Sequence, residues 1–154
     1  MKKTLSLILV LALMLSLAAC GISEPEKKSV DLNAIYEGFS DILPEMMLLD
    51  ETTMMNFLGI DAADCNQVVA AICGDGLLAD EVWLIEAKDE AALARLTELV
   101  NTRLTAKEEE TISYTPDQYA IVEKAVIITK DLYLAFLVSP EVETMKTAVE
   151  AALN

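Results

Sequence analysis

The chain has 154 residues with 26 acidic and 11 basic side chains, no histidine, three cysteines and a formal charge of −15. Such acidity repels nucleic-acid phosphates and anionic head groups, so neither a nucleic-acid partner nor direct docking on a bilayer is expected. The lack of histidine removes the commonest general base and the commonest ligand for zinc, copper or iron.

The first twenty residues carry the strongest signal. Lys2 and Lys3 precede an apolar run from residue 5 to residue 17, which ends in Leu17-Ala18-Ala19-Cys20. A positive start, a short apolar stretch and small residues before a cut make a secretory signal. The run is shorter than the ~20 residues that cross a hydrocarbon core, and no basic cluster follows it as a stop signal. Leu17-Ala18-Ala19-Cys20 has the form of a bacterial lipoprotein cleavage box. On this reading residues 1–19 are removed, and the Cys20 thiol is the nucleophile that takes the lipid. Two acyl chains give a lasting anchor where one does not. A plain signal peptide with a chance cysteine and an uncleaved anchor are the alternatives. The expected location is the outer face of the cell membrane. Without Lys2 and Lys3 nine basic residues face 26 acids, a net −17.

Residues 20–30 read as the lipidated cysteine and a tether, whose polar stretch 21–28 contains Pro25 and has a reach of roughly 25 Å. Residues 31–154 then suit one domain. Leu32, Ile35, Phe39 and Ile42 recur at helical spacing after Asp31, and Pro44 ends that helix. A short helix over 51–58 is closed by Gly59. Residues 66–73 lean to strand, Gly74-Asp75-Gly76 supplies turn chemistry, and 81–87 is the returning strand of a hairpin. Asp89 caps a long amphipathic helix to about Lys107, with Leu93, Leu96, Val100 and Leu104 on one face. Glu108-Glu109-Glu110 sits badly at the negative end of the helix dipole, so fraying is expected there. Thr115-Pro116-Asp117-Gln118 reads as a capping box opening a helix to about Lys124. Residues 125–129 and 132–138 form a tight hairpin around Lys130-Asp131. Ser139-Pro140-Glu141 starts a last helix carrying Val142, Met145, Val149 and Leu153.

The order is ααββ-ααββ-α. It predicts an α+β fold: an antiparallel sheet of about four strands from two hairpins, packed with about five helices. Both faces of the strands are apolar: Ile127 stands against Val126 and Ile128, and Tyr133, Ala135 and Leu137 against Leu132, Leu134 and Phe136. Either helices cover both faces, or one face meets a partner protein or a second copy.

The later residues resemble a family. Leu43-Pro44-Glu45-Met46, Gly59-Ile60-Asp61, Ala79-Asp80-Glu81, Pro116-Asp117-Gln118-Tyr119 and the run from Ala125 to Val138, behind the cleavage box, are similar to a domain-of-unknown-function family of small lipoproteins from Gram-positive bacteria. The resemblance spans about Val30 to Leu153 and brings no assigned activity or site. Cys65, Cys73 and Gly74-Asp75-Gly76 stand outside it.

Several weaker signals bear on chemistry. Paired carboxylates could perform hydrolysis, but chance pairs are expected among 26 acids and the single Trp83 makes no aromatic groove. Ser40, Ser113 and Ser139 lack an activating motif. Asp61 and Asp64, and Asp75 and Asp80, are hard oxygen donors that calcium would favour, without the spacing of a calcium loop. Met46, Met47, Met54 and Met55 suit irregular core gaps better than a soft-metal site, and Trp83 and Tyr133 read as packing residues. Cys65 and Cys73 lie eight residues apart, ~26 Å along a strand, whereas bridged Cα atoms lie within about 7 Å. They read as small core residues, with an intermolecular bridge as the alternative. No cofactor is expected. The sequence-level reading is a lipid-anchored, non-catalytic binding module of the envelope. An envelope hydrolase using paired carboxylates, or a small-ligand or calcium-binding lipoprotein, stands as the alternative.

Overall fold

The computed structural model describes residues 30–154. The expected signal peptide, the expected cleavage box at Leu17, Ala18, Ala19 and Cys20, and the expected tether before Val30 lie outside the described residues. Five strands, β1 (Met46–Leu48), β2 (Cys65–Cys73), β3 (Glu81–Ala87), β4 (Val126–Lys130) and β5 (Tyr133–Val138), form one sheet in the order β1-β2-β3-β5-β4. Every neighbouring pair is antiparallel. The α+β class and both expected hairpins are present, joined through the β3–β5 pairing.

The strands form where β-branched and aromatic residues run without proline. The second hairpin turns tightly because Asp131 adopts a φ of 53°, which a short polar side chain tolerates. Three of the helices begin at acidic caps. Asp31 accepts from the amides of Asn33 and Ala34, and Asp89 from that of Ala92. The helices are α1 (Leu32–Glu37), α2 (Glu51–Thr53), α3 (Glu90–Tyr114), α4 (Pro116–Val122) and α5 (Val142–Ala152). The chain winds on from α2 as a π-helical turn, Met54–Leu58, and Gly59 ends it at a φ of 74°.

Four local expectations are corrected. The first helix stops at Glu37, because Gly38 caps it and the chain continues as successive turns toward Leu43. A fifth strand, β1, follows Pro44, pairing Met46 with Cys73 and Leu48 with Ala71. The long helix does not fray at Glu108–Glu110. It runs on to Tyr114, because Lys107 and Thr111 lie on its buried face. The capping box at Thr115 does not form: Thr115 makes no side-chain cap bond, and Gln118 Oε1 accepts instead from the Ala79 amide at 3.0 Å. That bond ties α4 to the β2–β3 connection.

Helices cover both faces of the central strands. Trp83, Ile85, Leu134 and Phe136 pack under α3 and α4 together with Met54, Leu58 and Ile60. Val82, Leu84, Ala135 and Leu137 pack against α1 and α5 through Leu32, Val142, Met145 and Val149. Burying each large apolar side chain contributes roughly 1.5–3 kcal/mol. Trp83 meets Phe136 edge to face at 5.6 Å between ring centres. Among the described residues, no helix is long and apolar enough to cross a membrane.

Candidate functional site

A cluster of charged side chains lies inside the molecule. Glu81 opens β3 and is fully buried. Its Oε1 accepts from Trp83 Nε1 at 2.8 Å and from Arg103 Nε at 2.9 Å. Its Oε2 accepts from Arg103 Nη2 at 2.7 Å and meets Lys107 Nζ at 2.9 Å. Arg103 and Lys107 reach it together because they stand four residues apart on one face of α3. Burial pushes the Glu81 carboxyl up, but the Arg103 hydrogen bonds and the two cationic charges outweigh it, and the group ends below its ordinary 4.5. A carboxylate with four donors around it fastens α3 to the sheet.

Asp80 precedes it, at the end of the connection into β3. It is buried, and its Oδ1 has no hydrogen-bond partner. Burial raises its pKa, opposed by the neighbouring Ser139 hydroxyl and the Lys107 charge.

The other oxygen donors are dispersed. Asp61 Oδ1 accepts from the Ala63 amide at 2.9 Å, capping the 3₁₀ turn Ala62–Asp64. Asp64 forms a two-pronged pair with Arg95, which holds its carboxyl below the usual range. Asp75 Oδ1 closes a turn on the Leu77 amide at 3.0 Å. Asp61 and Asp64 precede β2, whereas Asp75 and Asp80 follow it, so the length of a nine-residue strand separates the two pairs. Among the described residues, no group of three or more acidic or cysteine side chains could hold a metal ion.

Trp83 packs as expected. Tyr133 instead ties down the start of the domain, its hydroxyl accepting from the Val30 amide at 3.3 Å. Gln67 Nε2 donates to the Val30 carbonyl at 3.0 Å and to Glu86 Oε2 at 2.8 Å. Met54 fills the core, whereas Met47 and Met55 are exposed because the edge strand β1 and the π-helical turn present them outward. Cys65 and Cys73 are free and half-buried at the two ends of β2. Burial, with Asp64 and Asp61 nearby, pushes the Cys65 thiol up to about 11. Ser113 lies within α3 rather than a loop. Ser139 is buried, its Oγ accepting from the Glu141 amide at 3.2 Å.

Two recesses flank β4, one on each face of the sheet. On the α3 side an open groove of about 690 Å³ is lined by Glu90, Leu93, Thr97, Glu98 and Asn101, with Thr129 as its β4 wall. On the α5 side Ile128, Thr129, Lys130, Glu150, Leu153 and Asn154 enclose about 400 Å³. The sequence gives no direct sign of either, because both follow from β4 occupying the sheet edge.

Residues 40–139, well over half of the chain, match the profile of a family described as a domain of unknown function (DUF4358). The match is shorter than the resemblance expected from the sequence, leaving out α1 and α5. No curated protein and no solved structure matches the chain.

Proposed function

The chain belongs to the DUF4358 family, whose function is unknown, and from that premise we propose that it is a lipid-anchored, non-catalytic binding module on the outer face of the cell membrane. The observation that carries this reading is Leu17-Ala18-Ala19-Cys20 standing ten residues ahead of Val30, where Tyr133 and Gln67 grip the chain. Lipid on Cys20 holds the domain at the bilayer through a short polar tether. The acidic surface, seven basic against 24 acidic side chains in residues 30–154, keeps it off anionic head groups and favours a cationic partner. A binding role also agrees with the charges at Glu81, which are engaged with one another rather than offered to a substrate.

Metabolic labelling with a clickable palmitate analogue tests the anchor. The chain takes the label, and Cys20→Ser abolishes both labelling and membrane retention. An unlabelled chain, or a Cys20→Ser chain that stays on the membrane as the same species, overturns the reading.

A further inference from the structure

We propose that the exposed edge of β4 receives an extended segment of another protein as a sixth strand, and that this segment alternates basic and apolar side chains. This rests on the reading of the chain as a binding module and names the class of its partner.

The two edges of the sheet differ. β1 has three residues and follows Pro44, the blunted form that protects an edge from pairing. β4 has five residues, Val126 to Lys130, in unbroken register with β5, without proline, glycine or bulge. The hairpin closes on the pair Lys130–Tyr133 across a two-residue turn. That closing pair bonds within the hairpin, so alternation along antiparallel strands turns the N–H and C=O of Ile127 and Thr129 outward. These four groups form a template for strand addition.

The surroundings give side-chain specificity. Successive side chains of an added strand point to opposite faces, and a recess lies on each face beside this edge. Thr129 borders both. The α3-side groove carries Glu90 and Glu98. The α5-side recess offers Ile128 and Leu153 as apolar wall. Lysine or arginine on one face of the incoming strand thus meets carboxylates, and valine or isoleucine on the other meets the apolar wall. Main-chain bonds supply affinity and alternate side chains supply selection, as in other strand-addition sites. A second copy fits poorly, because its own excess of acid would face Glu90 and Glu98.

The test uses the full chain in zwitterionic nanodiscs and a fluorescent nine-residue peptide alternating lysine and valine. Binding is read by anisotropy, and amide exchange at Ile127 and Thr129 slows on binding. Methylating alternate backbone nitrogens of the peptide, on the face that meets β4, weakens binding at least tenfold. Thr129→Pro does the same: its N–H points outward, so the native ladder keeps all its bonds. Glu98→Lys weakens binding at least tenfold, whereas Glu37→Lys on α1 changes it less than twofold. The methylated peptide tests wild-type protein, so the proposal stays falsifiable even if Thr129→Pro fails to fold. It is overturned by absent binding, by equal affinity for the methylated peptide, by equal effects of Glu98→Lys and Glu37→Lys, or by a doubled mass that Thr129→Pro reverses. Palmitate labelling is independent of these readouts, so an unoccupied edge and an absent anchor are told apart.

Discussion

Lys107 Nζ lies 2.9 Å from Glu81 Oε2, so the charge that closes the cluster comes from the residue at which the sequence reading ends α3. The pair is buried on both sides, and Arg103 completes it. Removing one member of such a cluster leaves buried charge without a counterpart. Glu81→Gln is expected to cost about 3 kcal/mol in urea unfolding. Replacing all three members, with Glu81→Leu, Arg103→Met and Lys107→Met together, costs less than the single change. A single change as mild as the triple one would show that the cluster is open to solvent.

The two neighbouring carboxyls give opposite pH dependences. Glu81 has a folded pKa below its ordinary 4.5. Its stabilisation is therefore present in full above about pH 4.5 and is lost as pH falls through the folded value. Asp80 has a folded pKa above 3.8. Its ionisation opposes folding, so stability declines as pH rises from 3.8 through the folded value. Asp80→Asn removes that decline and is more stable than wild type at pH 7, because the amide carries no charge to desolvate. Thermal unfolding of wild type and variant from pH 2.5 to 7 checks both signs.

Cys65 should alkylate slowly. With a pKa of about 11, only about one molecule in a thousand carries its thiolate at pH 8. Iodoacetamide labelling followed by peptide mass spectrometry is expected to modify Cys65 at least tenfold more slowly than free cysteine. The gap closes as pH approaches 11. Rapid labelling at pH 8 would mean that the thiol stands in solvent.

Gln118 serves the β2–β3 connection rather than its own helix. Gln118→Ala leaves the Ala79 amide without its partner and is expected to cost about 1 kcal/mol. It speeds amide exchange at Ala79 while leaving the amides of α4 unchanged. Faster exchange confined to α4 would restore the capping-box role to Gln118.

The architecture was legible where local patterns agree with tertiary demands. Apolar runs, Gly74-Asp75-Gly76 and a turn expected at Lys130-Asp131, which the structure places one residue on at Asp131-Leu132, located the four longer strands, and Asp31 and Asp89 marked helix starts. β1 escaped because three residues between Pro44 and Asp50 show no period. The extension of α3 escaped because Glu108-Glu109-Glu110 was weighed against the helix dipole alone, a term of under about 1 kcal/mol. Burial of Lys107 and Thr111 opposes it through contacts remote in sequence. A signal for the Glu81 cluster did exist: an acid directly ahead of the apolar run Val82-Trp83-Leu84-Ile85, with Arg103 and Lys107 one helical turn apart. The recesses beside β4 had no such signal, because they follow from β5 pairing with β3 and leaving β4 outermost.

The grip on Val30 has a mechanical meaning. Its amide is held from β5 and its carbonyl from β2, the strands on either side of β3. A tensile load entering at this residue reaches the middle of the sheet, where several ladders share it in parallel. Peeling the sheet apart one rung at a time would require a pull on an outermost strand, and the chain's point of entry offers no such handle.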